Sequence, residues 1–270
     1  MNELRPADGQ ESDKDAVWRG TDFSGVTVVL GVGTGRLVSL LNRQAASSQG
    51  TLVVISYQTA QLRPLGPLAQ EGPLALVRAR PRQIPVLKGT VDLLVVNGVL
   101  REVPESKLGM MFEEMWRVLV PGGRVRISDV IEPSEAEGNR TWVQRSRIVR
   151  KLGKALGQPT ALSVNLQQAA MAMRSVGFED LALSFLPGYA LTDEWLQETV
   201  NAIRTMAGRV VERELRDQIL NQDLQQLIAS YTRGGQRAAE RFVLRGTKIG
   251  DMALTMEASF TEEDLLGSEE

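Results

Sequence analysis

Apolar residues follow two rhythms along this chain. Continuous runs at 26–30, 52–55, 74–77 and 91–96 (VTVVL, LVVI, LALV and VDLLVV) predict short strands covered on both faces. Between them, apolar positions recur at helical spacing. Leu37, Val38, Leu40 and Leu41 share one side of a helix after the first run. Leu108, Met111, Phe112, Met115, Trp116, Val118 and Leu119 form a single stripe. Pro121-Gly122-Gly123 is expected to stop that helix. Val125 and Ile127 then alternate with Arg124 and Arg126 into a strand ending near Asp129. Further on, the pattern predicts a helix over 167–176 closed by Gly177, a strand over 181–186 and a last strand over 241–245. Strands alternating with helices of about 10–15 residues build βαβ units and a mostly parallel, doubly wound α/β sheet.

Residues 191–235 break the alternation. Trp195, Leu196, Val200, Ile203 and Ala207 mark one amphipathic helix, and Leu215, Ile219, Leu220, Leu224, Leu227 and Tyr231 mark a second. They read as a helical insertion before the last strand, packed on the sheet's rim. The chain then divides into a polar leader (1–23), an α/β domain (24–190 and 236–250), the insertion (191–235) and an acidic tail (251–270). The tail carries seven acids and no base, which leaves the first 250 residues at +5 although the whole chain is −2. Its composition suits a solvated end, while Met252, Leu254, Met256, Phe260, Leu265 and Leu266 leave docking open.

Composition narrows the chemistry. With no Cys and no His, the chain offers no disulfide, thiolate nucleophile, Cys/His zinc site or imidazole base. Acid–base work falls to Asp, Glu, Lys, Tyr or a ligand. No apolar run reaches the ~18 residues of a bilayer span, and the N-terminus lacks the apolar stretch of a secretory signal. A cytoplasmic protein without membrane contact is the expectation.

The turn Leu30-Gly31-Val32-Gly33-Thr34-Gly35 leaves a strand and opens a helix. Glycines allow close backbone approach, and a helix N-terminus presents free N–H groups to a ligand. A tight connection with no ligand remains the competing reading. The dinucleotide fingerprint G-x-G-x-x-G fails because Arg36 stands at its sixth position.

The stretch 28–35, VVLGVGTG, resembles motif I of the class I S-adenosylmethionine-dependent methyltransferases. Three further regions follow in that family's order: 90–100 (TVDLLVVNGVL) resembles its fourth-strand motif, 114–129 (EMWRVLVPGGRVRISD) its helix and fifth strand, and 175–180 with 241–248 its last two strands. The likeness covers about 24–250, in the branch with arsenite and quinone-biosynthesis methyltransferases. It implies a seven-stranded Rossmann-like methyltransferase sheet whose last strand is antiparallel. It also implies a cofactor, S-adenosylmethionine, placed against Gly31, Gly33, Thr34, Gly35, Ser56, Arg80, Asn97 and Gly98. Arsenic chemistry is excluded, since trivalent arsenic needs thiolates.

The departures from the family pattern concern charge. An acid usually stands two residues before the first motif I glycine; Val29 is there. The acid closing strand 2, which accepts from both ribose hydroxyls, maps to Ser56. The acid after strand 3 that contacts adenine maps to about Arg80. With all three missing, the resemblance implies a pseudoenzyme with impaired or lost cofactor binding that acts as a binding or scaffold subunit. An active methyltransferase of a small molecule is the alternative. No general base is nominated; Asp129 is the best-placed acid and reads first as a strand-end cap. From Arg140 to Lys154 there are six bases and no acid. This segment is either a solvated helix face, a surface for a small-molecule ligand or protein partner that is anionic, or a rest for the acidic tail. A body of only +5 with 5% aromatics argues against nucleic acid.

Overall fold

β-Branched, apolar runs lose little by being buried on both faces, and the runs at 26–30, 52–55 and 91–96 lie side by side inside the sheet. The run at 74–77, expected to be covered on both faces, instead forms the sheet's edge and leaves Ala75 exposed. The computed structural model describes residues 18, 20–33, 35–131, 137–157, 161 and 164–250. β1 (Val26–Leu30), β2 (Thr51–Ser56), β3 (Leu74–Arg78), β4 (Val91–Asn97) and β5 (Leu119–Val130) are parallel, and β6 (Phe178–Leu186) and β7 (Arg241–Lys248) close one side. The order is β3-β2-β1-β4-β5-β7-β6, with β7 antiparallel to both neighbours. This is the expected seven-stranded, mostly parallel sheet of the Rossmann-like methyltransferase fold.

Helices cover both faces. On one side lie α1 (Arg36–Ser47), α2 (Thr59–Leu62) and α3 (Gly66–Glu71), over a core that includes Val29, Leu41, Leu52, Val54 and Val95. On the other, α4 (Leu108–Val118) and α6 (Leu166–Val176) pack Met111, Phe112, Met115 and Met173 against Val28, Leu94, Ile127 and Phe242. α5 (Arg140–Ala155) precedes α6, and the insertion contributes α7 (Asp193–Ala207), α8 (Arg213–Gln218) and α9 (Leu224–Thr232). Ile148 and Leu152 of α5 join Val200, Ile203, Leu224 and Leu227 of the insertion in a separate small core.

Local differences from the sequence reading have physical causes. The α4 stripe ends at Val118, because Leu119 has already swung to extended backbone (φ −70, ψ 142). Pro121-Gly122-Gly123 therefore lies inside β5 as an irregularity, where the pairing with β4 shifts register between Val91 and Leu93. Strand β6 begins at Phe178, three residues early, since Phe178 is buried edge-on against Trp116 (5.2 Å). The second insertion helix widens to a π turn at Ile219–Asp223, which carries the buried Asp223 to Lys151 at 2.7 Å. Most of the leader and the whole acidic tail lie outside the described residues.

Candidate functional site

The carboxyl ends of β1, β2 and β4 form a crevice at the point where the strand order reverses, the usual ligand position in open α/β sheets. Gly31 leaves β1 with φ +87, and a Cβ there would fall 2.2 Å from the Asn97 carbonyl oxygen and 2.6 Å from Val99 Cγ2. Gly33 (φ +57) lies against the Asn97 side chain, whose Nδ2 would be 2.9 Å from an added Cβ. Gly35 (φ +83) donates its N–H to the Val32 carbonyl at 3.1 Å and starts α1 without a side-chain cap. The first amides of α1 are thus offered to the crevice. Gly98 (φ +69) donates to the Ser128 carbonyl at 2.8 Å, tying the end of β4 to β5. Gly31, Gly33, Gly35, Asn97 and Gly98 are therefore brought together, and Thr34 lies outside the described residues.

The positions expected to grip a nucleoside differ. Val29 is fully buried in the sheet core. Ser56, 4% exposed, donates its hydroxyl to Gln61 Oε1 at 2.7 Å and accepts from the Gln58 N–H at 3.1 Å. That hydroxyl shapes the turn into α2. Arg80 is exposed in the turn after β3, its carbonyl accepting from Gln83 N at 3.0 Å. Neither position supplies the carboxylate acceptors that the family resemblance implies for a ribose diol and an adenine amino group.

The crevice holds groups the sequence reading passed over. Tyr57 follows β2 and Glu102 follows β4, yet the phenol and the carboxyl interact across the intervening end of β1. Burial pushes the Glu102 carboxyl up, with Arg101 pulling against it, and burial also pushes the Tyr57 hydroxyl up. Glu102 is five residues beyond Asn97, so its relation to the fourth-strand motif was the available signal.

Asp129 is capped rather than poised. Its carboxylate is fully enclosed, accepting from Arg101 Nε at 2.5 Å, the Arg101 N–H at 3.3 Å and the Val130 N–H at 2.8 Å. Both of its oxygens are already engaged by these donors. The strand-end cap is the reading that the geometry supports.

Along α5, Arg140, Arg147, Arg150 and Lys154 are exposed and Lys151 pairs with Asp223, whereas Arg145 is partly buried above Trp142 (5.3 Å to the ring centroid). Arg36 at the start of α1 reaches Glu194 at the start of α7 (3.8 Å) in an exposed pair. The insertion therefore stands beside the Gly-rich turn. Among the described residues, no helix is long and apolar enough to cross a membrane, and no group of three or more acids is placed to hold a metal ion.

A family profile described as a methyltransferase domain matches residues 28–127. No curated protein matches the chain. Among solved structures, phosphoethanolamine N-methyltransferase 2 of Haemonchus contortus in complex with S-adenosyl-L-methionine superposes with TM-score 0.54 at 16% identity, over 90% of this chain and 53% of that one. This chain thus spans about half the length of that enzyme. The [4+2]-cyclase SpnF superposes with TM-score 0.55 at 17% identity, over 93% of this chain and 86% of that one. At such identities the likeness establishes the fold. Two named activities on one fold leave the reaction to be argued from the site.

Proposed function

We propose that this chain descends from the S-adenosylmethionine-dependent small-molecule methyltransferases, has a weakened or lost cofactor site, and works as a binding or scaffold subunit. The observation that carries this reading is Ser56, whose hydroxyl is spent on Gln61 and Gln58 where the family places an acid. Each missing charge-assisted contact removes about 1.5–3 kcal/mol, or one to two decades of affinity. Val29 and Arg80 deepen the loss. The surviving glycines do not count against it: Gly31 is required by its positive φ and by the Asn97 and Val99 atoms packed on it, with or without a nucleoside.

A specific observation favours a second reading, an active methyltransferase. Glu102 puts one carboxyl beside Tyr57, next to the vacated acid position. A carboxyl that burial biases toward its neutral form, and that already faces a phenol, is a weaker diol acceptor than an exposed carboxylate.

Titration of the purified chain with S-adenosylmethionine and S-adenosylhomocysteine decides between the readings. A bound ligand at 100 times Kd adds about 2.7 kcal/mol of stability. The proposal expects no heat and no thermal shift at millimolar ligand. Saturable micromolar binding overturns it.

A further inference from the structure

One base of α5, Arg145, is partly buried, and among the described residues no acid pairs with it. The Arg145 guanidinium stacks over Trp142 at 5.3 Å and stands close enough to Arg101 and Tyr189 for both to act on it. Arg101 is already committed to Asp129 at 2.5 Å. Among the described residues, no carboxylate lies within ion-pair distance of Arg145. Desolvation, and after it the Arg101 charge, push the Arg145 pKa down. Asp129 balances Arg101, while the partly buried Arg145 charge has no counter-anion among the described residues, and such a position attracts one.

Its surroundings limit what that anion is. Trp142 is stacked on Trp195 (6.0 Å between centroids, 23° between planes) and meets Tyr189 edge-on (6.3 Å). The Trp142 Nε1–H is buried and has no hydrogen-bond partner, which is unfavourable in a folded protein unless an acceptor reaches it. The remaining bases of α5 face solvent or Asp223. A peptide or nucleic acid would meet those exposed charges first; a recessed guanidinium walled by aromatic rings suits a small molecule.

We propose that Arg145, with Trp142 and Tyr189, receives the oxyanion group of a small acid with a flat apolar body, a phosphate ester or a carboxylate, above the carboxyl ends of β4 and β5. Charge and donors come from the guanidinium, the apolar wall from the indole, and a further polar contact from the Tyr189 hydroxyl. The inference deepens the binding-protein reading and rests on it for the ligand's role; the site itself stands whether or not S-adenosylmethionine binds.

The test uses the full chain with phenyl phosphate, phenylacetate and neutral benzyl alcohol, followed by calorimetry and tryptophan fluorescence. One or both acids are expected to saturate and to change the fluorescence, the alcohol is not, and the preferred acid tells phosphate from carboxylate. Arg145→Gln is expected to weaken the acid at least about tenfold, Arg145→Lys to keep part of the affinity, and Arg150→Gln to keep all of it. No binding of either acid up to about 10 mM, a range that covers even weak ligands, overturns the site. So does undiminished binding in Arg145→Gln. If Arg145→Gln fails to fold, the acid-against-alcohol comparison in the native chain and the Arg145→Lys variant decide. A parallel S-adenosylmethionine titration separates the two proposals: binding of that cofactor overturns the lost-cofactor reading and leaves this site, while failure of the acids does the reverse.

Discussion

The Lys248 ammonium, at the last residue of β7, donates to the main-chain carbonyl of Trp116 at 3.1 Å and lies 5.1 Å from the centre of the same indole. It also donates to the Leu119 carbonyl at 3.0 Å and is 1% exposed. These carbonyls belong to the last turn of α4 and the residue after it, where helix groups lack intrahelical donors and a cation is favoured. The contact bolts the final strand to the helix that roofs the sheet. Lys248→Met, which keeps the volume and removes the donors, should cost about 2–4 kcal/mol by leaving buried carbonyls unsatisfied. Urea denaturation checks it, and a loss under 0.5 kcal/mol would show the lysine to be dispensable.

Gly31 is expected to be structural before it is functional. Gly31→Ala places a methyl against the Asn97 carbonyl at φ +87, and should destabilise the ligand-free chain by more than about 2 kcal/mol. Unfolding measured without any nucleoside checks this. A native-like midpoint would mean that the turn relaxes, and its glycines would then need a ligand to explain them.

Restoring charge at the end of β2 should restore affinity. Ser56→Asp can still accept from the Gln58 N–H and offers a second oxygen to a diol. S-Adenosylhomocysteine binding is expected to strengthen by about ten- to a hundredfold over the native chain. Calorimetry of both proteins side by side is the measurement; equal affinities would place the defect elsewhere.

Glu102 sets a pH dependence. Its folded pKa is raised by burial above the 4.5 of an ordinary glutamate, so the folded state holds the proton more tightly than the unfolded chain. Below pH 4.5 both states are protonated and no penalty exists. As pH rises through 4.5 toward the raised value, the unfolded chain ionises first and stability falls, levelling once the folded carboxyl ionises too. Glu102→Gln should therefore be more stable than the native chain at pH 7 and level with it near pH 4. Denaturation at the two pH values checks the sign, and a variant weaker at pH 7 would mean the Tyr57 and Arg101 interactions outweigh burial.

Arg126 on β5 and Arg245 on β7 are direct cross-strand partners, and the Arg126 guanidinium also stacks on Trp18 at 4.2 Å. Burial, helped by Arg245, lowers the Arg126 pKa to about 10. Converting the like-charged pair with Arg245→Glu should stabilise the chain by about 0.5–1 kcal/mol, an effect that shrinks in molar salt. Thermal melts at low and high salt are the readout. No gain at low salt would show that the repulsion is already screened.

The sheet was legible because its cause is local. Four apolar runs, the Leu108–Val118 stripe and the alternation of Arg124, Val125, Arg126 and Ile127 state their period in one dimension, and each became a strand or helix as expected, although the run at 74–77 lies at the sheet edge rather than covered on both faces. The limits were legible less well. Nothing within 118–123 says that the backbone turns extended at Leu119 before the Pro-Gly-Gly, since that depends on pairing with Val91 across the sheet.

For the site, the residues alone determined the glycine turn and the absence of acids at Val29, Ser56 and Arg80. They did not determine what those positions do instead. That Ser56 is consumed by Gln61, that Glu102 meets Tyr57 over the end of β1, and that Arg145 is partly buried while Arg150 is exposed are decisions of tertiary structure. Burial and charge pairing act between groups far apart in the chain, and a side chain's pKa, partners and availability exist only once the strands have set those groups side by side.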